Sequence, residues 1–219
     1  MSDRSGSRSD APLDAWRALA PRAKLWWQKW RWYERNAVPW RRARIHWHAL
    51  RGGFFVRFPV QGNVLEALDD GRLTLGEHTL LEPQCWITIS EGARVRIGSG
   101  TFLNIGTMIA ATDEVTVGDH VMFANGCFIG DADHRYDDPD VPLTWQGFHS
   151  KGPVHIGSNC WFGANCVITS GVTVGDRCVV GANAVVTRDL PSGVIAVGSP
   201  ARVLKEIAFV PAGAEPAAR

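Results

Sequence analysis

From Leu75 onward, aliphatic or aromatic residues recur at every sixth position. Leu75, Leu81 and Ile87 form one set, Ile97, Leu103 and Ile109 a second, and Val117, Phe123 and Ile129 a third. After an interruption the beat resumes at Ile156, Phe162 and Ile168, continues through Val174, Val180 and Val186, and begins a last partial set at Val197. Glycine follows the anchor in many units, as at Gly76, Gly98, Gly118, Gly157, Gly163, Gly175 and Gly181. A strand alternates faces with period two, so six-residue units alone are compatible with ordinary strands. Hairpins, however, need turn chemistry between strands, and from Ile156 to Val174 the units run on without a gap. The pattern therefore predicts an all-β coil with three short flat sides, each sending one anchor into a narrow central stack. A single coil cannot bury that face, so neighbouring coils must stack.

All five cysteines, Cys85, Cys127, Cys160, Cys166 and Cys178, fall four residues after an anchor, in a slot that elsewhere holds Thr79, Thr101, Val172 or Ala184. A position that accepts only compact side chains predicts buried packing thiols rather than nucleophiles. No CxxC pair or short metal-type spacing is present, which argues against a disulfide framework or a structural zinc site.

Two stretches, "IGSNCWFGANCVITSGVTVGDRCVVGANAVVTRDL" and "VGSPARVLKEI", carry a resemblance. From about Leu73 to Ile207 the chain resembles the hexapeptide-repeat acyltransferases, and within them the maltose and galactoside O-acetyltransferases and polysaccharide-pathway acetyltransferases. The resemblance implies a left-handed parallel β-helix, a homotrimer whose sites form between subunits, and acetyl-CoA as co-substrate without a metal. The expected organisation is a disordered tail at 1–12, a Trp/Arg-rich helical segment at 13–57, the β-helix at 58–207 and a flexible tail at 208–219.

The interruption, at about 131–153, reads "DADHRYDDPDVPLTWQGFHSKGP". A loop of this length with Tyr136, Trp145, Phe148, Pro139 and Pro142 is not composed as a flexible linker, so a packed lid or a subunit contact is expected. His134 stands where the beat stops. One reading makes it a surface histidine bonded to Asp131, Asp133 or Asp137. The resemblance makes it the catalytic base, because a neutral imidazole can take the proton of an attacking alcohol. The resemblance also implies an oxyanion donor in the backbone N–H near Ala164, and Asn104 as a residue beside the base that contacts the acceptor. Asp133, Tyr136 and Trp145 are further candidates for the acceptor pocket. Asparagine suits a stacked turn equally well, so both readings of Asn104 stay open.

For the donor, Trp161, Gly163, Ala164, Gly181 and Ala182 are candidate walls of a pantetheine slot, the small residues permitting close backbone approach. Arg188, Arg202 and Lys205 lie where the resemblance places the nucleotide phosphates. Neither GxGxxG nor GxxxxGK[ST] occurs, so dinucleotide and P-loop readings have no footing.

The activity so implied is acetyl-CoA-dependent O-acetylation of a sugar or glycan hydroxyl. Alternatives are N-acylation of an amino sugar or antibiotic, a zinc carbonic anhydrase of the same fold type, and an inactive trimeric scaffold. His120, His134 and His155 are widely spaced and lack an HxxxxH pair, which weakens the zinc reading.

Charge is divided unevenly. Residues 1–57 hold thirteen Lys/Arg against four Asp/Glu and seven of the ten tryptophans. Pro21 and Pro39 bracket an expected helix at about 22–36. The stretch from 16 to 50 suits a cap on the open end of the solenoid, or an amphipathic contact with an anionic membrane. A nucleic-acid partner has no further support. With no apolar run of eighteen residues and no secretory start, a cytoplasmic chain is expected, with the membrane's inner face as a contact.

Overall fold

The computed structural model describes Pro21 and residues 35–208. Residues 22–34 of the expected helix, the tail at 1–12 and residues 209–219 lie outside the described residues, and Arg35–Ala37 form a 3-10 turn.

The chain winds as a left-handed parallel β-helix of six coils, with three sheets forming the sides of a prism. The first side stacks Phe55–Val56, Leu80–Leu81, Phe102–Leu103, Met122–Phe123, Trp161–Phe162, Val179–Val180 and Val194–Val197. The second stacks Gln61–Gly62, Trp86–Ile89, Met108–Ala111, Phe128–Gly130, Val167–Ile168 and Val185–Val186. The third stacks Leu73–Leu75, Arg94–Ile97, Glu114–Val117, Val154–Ile156 and Thr173–Val174. Register is strict: Phe123 pairs with Leu103 below and Phe162 above, so anchors from successive coils meet on the axis. Phe123 and Phe162 stack there with centroids 4.9 Å apart and planes 15° from parallel.

The corners between first and second sides, and those between third and first, each carry one residue with positive φ. Between first and second sides these are Gln84, Gly106, Gly126, Asn165 and Asn183; between third and first they include His78, Gly100, His120, Asn159 and Arg177. Glycine and asparagine tolerate that conformation at least cost, which explains their recurrence in the repeat. Gly163 is required for a second reason: a Cβ there would lie 2.5 Å from the Ala182 backbone nitrogen of the next coil.

The five cysteines are free and buried. Desolvation pushes the Cys85 thiol up to about 12. The hydrogen bond with Cys166, helped by burial, raises Cys127, and Cys178 does the same for Cys160. The same two hydrogen bonds lower Cys166, and lower Cys178 to about 6, so it is burial rather than protonation that withholds all five thiols from a reagent in solution. A maleimide should therefore leave all five unmodified in the native protein while labelling all of them after denaturation, a difference that mass spectrometry reads directly.

The solenoid opens earlier than the repeat reveals. Phe55–Val56 pairs with Leu80–Leu81, so the first coil begins inside the segment expected to be helical. Helix α1 spans Pro39–Gly52 and helix α2 spans Val64–Asp69. Pro39 thus starts a helix rather than ending one, at a first-turn position where its missing N–H costs nothing. Ile45 and Ala49 of α1 join the core formed by Phe54, Val56, Val64 and Leu65, closing the end of the stack. Arg41 to Glu66 at 2.7 Å and Arg44 to Asp69 at 2.8 Å tie α1 to α2. At the other end, Arg202–Glu206 turns back antiparallel along Val194–Val197.

The outer faces differ. Phe55, Met122 and Trp161 on the first side and Met108 on the second are about half exposed. The third side shows Thr74, Arg96, Thr116, His155 and Thr173 instead, with Arg96 paired to Glu114 at 2.7 Å.

Candidate active site

The interruption leaves the corner between the second and third sides of the fourth coil, directly after Phe128–Gly130. It returns to the third side at Val154–Ile156. It has structure of its own: Asp133–His134 pairs antiparallel with Phe148–His149, and a 3-10 turn spans Leu143–Trp145. Tyr136, Leu143, Trp145 and Phe148 are exposed, so within one chain the loop does not pack as a lid.

Its root is held by buried polar chemistry. Asp131 is fully buried, and its carboxylate accepts from the Thr112 N–H at 2.7 Å, the Thr112 hydroxyl at 3.0 Å and the Asp113 N–H at 2.8 Å. A buried carboxylate is tolerable only when so satisfied. Its backbone carbonyl accepts from the Ser150 hydroxyl at 2.6 Å, joining the outgoing and returning arms of the loop. Two residues on, Asp133 accepts from the Ser170 hydroxyl at 3.1 Å and faces Lys151 Nζ at 3.3 Å. The tip closes through Gln146, which donates to the carbonyls of Asp138 and Val141.

These anchors present His134 at a cleft of about 720 Å³ lined by Asp133, Arg135, Tyr136, Asp137, Phe148, His149 and Lys151. The imidazole lies 4.5 Å from the Phe148 ring, tilted by 37°. Among the described residues its nitrogens make no hydrogen bond. That corrects the expectation of an aspartate-bonded surface histidine: Asp131 is turned inward, Asp133 is taken by Ser170 and Lys151, and Asp137 pairs with Arg135 at 3.1 Å. The Arg135 guanidinium holds the Asp137 carboxyl below its ordinary range.

A second constellation occupies the other end of the second side, at the corner with the first. Trp161 is 51 % exposed beside Gly163, Ala164, Gly181 and Ala182. The Ala164 carbonyl accepts from the Asn183 N–H at 2.8 Å, but the N–H groups of Ala164 and Ala182 make no hydrogen bond among the described residues. Two amides in adjacent coils, unpaired among the described residues, form a ready pair of donors. Asn104 lies on this corner two coils below, its side-chain oxygen accepting from the Ile105 N–H at 2.8 Å.

Residues 153–188 match the family described as "Hexapeptide repeat of succinyl-transferase". Over 134 residues the chain is 36% identical to the galactoside O-acetyltransferase of Escherichia coli, covering 61% of this chain and 64% of that one. A galactoside acetyltransferase solved in complex with coenzyme A is 34% identical, with TM-score 0.56, covering 66% of this chain and 70% of that one. The chain belongs to the hexapeptide-repeat acyltransferases. A hexapeptide-repeat-containing acetyltransferase from Vibrio cholerae, complexed with acetyl coenzyme A, is 26% identical with TM-score 0.56 and covers 93% of both chains. The chain spans about three-fifths of the length of the curated relatives it matches.

In this hexapeptide-repeat chain the expected site residues divide between corners. His134, Asp133 and Tyr136 share the cleft, whereas Trp145 lies farther along the loop and does not line it. Arg202, in the returning strand, lies toward the Trp161 corner, because Ala201 donates to Val185 just beyond Ala182. Arg188 follows Val185–Val186 and therefore sits on the His134 corner, while Lys205 pairs with Ile195 on the first side. One side of the prism separates His134 from Ala164, roughly 15 Å at about 3.3 Å per extended residue. His120 is a corner residue and His155 bonds Thr116 at 2.6 Å, so the three histidines of the zinc reading lie in different settings. Sequence reasoning missed Asp131 as an anchor, and its only sequence signal was an aspartate at the last residue before the beat fails.

Proposed function

We propose that the protein is an acetyl-CoA-dependent O-acetyltransferase acting on a hydroxyl of a sugar or glycan, with His134 as general base. The observation that carries this reading is the His134 imidazole, which makes no hydrogen bond among the described residues and is open to a cleft large enough for a sugar. The names of the galactoside O-acetyltransferase relatives support the acceptor class.

The residues at the Trp161 corner fit a pantetheine arm. Trp161 offers an apolar wall, and Gly163 and Gly181 allow close approach to the backbone. The Ala164 and Ala182 amides supply donors without requiring any existing bond to break. Bound acetyl-CoA supplies an activated thioester carbonyl. His134 takes the proton of the acceptor hydroxyl as its oxygen bonds to the thioester carbon, the Ala164 N–H stabilises the charge that develops on the carbonyl oxygen, and the C–S bond then breaks, the departing thiolate of coenzyme A receiving the proton back from His134. Arg202 would meet a phosphate of the bound coenzyme.

Because base and groove occupy different corners, the working site is assembled from two subunits of a homotrimer. The apolar outer faces of the first and second sides support such packing, and the exposed loop aromatics suit a neighbour's surface.

Acetyl transfer from acetyl-CoA to a panel of sugars and amino sugars tests the activity; ester formation is expected, and exclusive amide formation would overturn it. Mixing tests the seam. His134→Ala and Trp161→Glu subunits, each inactive alone, should on random co-assembly in equal amounts regain roughly a quarter of wild-type activity, since one seam in four then draws an intact base and an intact groove from different subunits. No recovery would place the site within one chain.

A further inference from the structure

Helix α1 is apolar on two opposite faces. Ile45 and Ala49 point into the core, and one half-turn away Trp40, Ala43, Trp47 and Leu50 point outward, with Trp40 55 %, Trp47 58 % and Leu50 77 % exposed. The inner face explains the cap; nothing in the described residues covers the outer one.

Charge narrows what can. The fourteen residues of α1 contain four arginines and no acid. Arg41 and Arg44 are paired to Glu66 and Asp69, while Arg42 packs over Phe58 and Arg51 is exposed in the last turn. The preceding chain is basic as well, with Arg17, Arg22, Lys24, Lys29 and Arg31 beside five more tryptophans. A second copy of this face, or that preceding segment, would bring like charge against like. An anionic surface would not. A phosphate-bearing lipid interface also accommodates both halves of the pattern, taking indole and leucine side chains among the acyl boundary and arginine at the headgroups. At about 1.5 Å per residue α1 is too short to cross a bilayer, and no helix among the described residues is long and apolar enough to do so.

We propose that the outward face of α1 docks the protein onto an anionic phospholipid surface. The helix lies parallel to the membrane with Trp40, Trp47 and Leu50 embedded, and the solenoid stands away from it. This does not depend on the acetyl-transfer reading. If the protein is a cyclic trimer with its solenoids side by side, three such faces share one end, and binding gains from multivalency.

Flotation of the full chain with vesicles tests it. Binding is expected to phosphatidylglycerol/phosphatidylcholine vesicles and not to phosphatidylcholine alone, and to weaken in high salt. Arg51→Glu should weaken it about fivefold or more, and Trp47→Ser with Leu50→Ser about tenfold or more, with the circular dichroism of the solenoid unchanged. Absence of flotation with anionic vesicles overturns the proposal. So does wild-type flotation by the double variant, which would assign lipid contact to another segment. A change in oligomeric state of the double variant in the absence of lipid would identify the face as a contact between copies, and would overturn it equally.

Discussion

Replacing His134 by alanine is expected to lower kcat for acetyl transfer by about 10²- to 10⁴-fold, the span of a lost general base. Coenzyme A affinity should stay near wild type, because the groove at Trp161, Ala164 and Ala182 lies on another corner and shares no hydrogen bond with the imidazole. His134 is exposed, so its removal leaves no core cavity and the melting temperature should hardly move. Steady-state kinetics with calorimetric titration of coenzyme A separates the two effects. Unchanged kcat would remove the mechanism, whereas loss of coenzyme A binding together with kcat would mean that the histidine builds the groove instead.

Asp131→Ala is expected to be costly in a different way. It strips the Thr112 and Asp113 N–H groups and the Thr112 hydroxyl of their acceptor. Leaving buried donors unpaired costs about 1–3 kcal/mol each, so a destabilisation of roughly 3 kcal/mol is a reasonable expectation after local relaxation and water entry. The same carboxylate fixes the residue from which the His134 arm departs, so kcat should fall even where the protein remains folded. Asp131→Asn keeps the shape and one acceptor oxygen, and should lie between the two in both stability and kcat. Denaturant unfolding beside kinetics at a temperature well below the transition checks this. If kcat were unaltered in a folded Asp131 variant, the loop root would be irrelevant to the placement of the base.

Some of this was legible residue by residue. The anchor spacing revealed the stacked coils from Leu75 to Val186, and the compact slot revealed the cysteines as core, because each is a statement about which side chain a coil can bury at a given position. The opening of the first coil, at Phe55–Val56 ahead of the boundary expected at 58, was not legible. Its strands Phe55–Val56 and Gln61–Gly62 are two residues long and are followed by α2, which destroys the period. That Pro39 opens α1 was not legible, because proline marks either end of a helix, and only the partners of Ile45 and Ala49 reveal the helix that follows it. The loop was recognised from its length and aromatic content, but the partners of Asp131, Asp133 and Asp137 were not, since three nearby carboxylates look alike in a sequence and differ only in where the backbone aims them.

The amino-acid order alone determined the architecture, since a repeat of buried and turn positions is local and restates itself eighteen to twenty-two residues later. It also marked His134 as exceptional, by the failure of that repeat. What the tertiary structure decided was company: that His134 and Ala164 occupy different corners, and that among the described residues no carboxylate holds the imidazole and nothing covers the second apolar face of α1. Those are facts of direction in space, set by how coils wind and how a hairpin folds back, and no spacing along the chain encodes them.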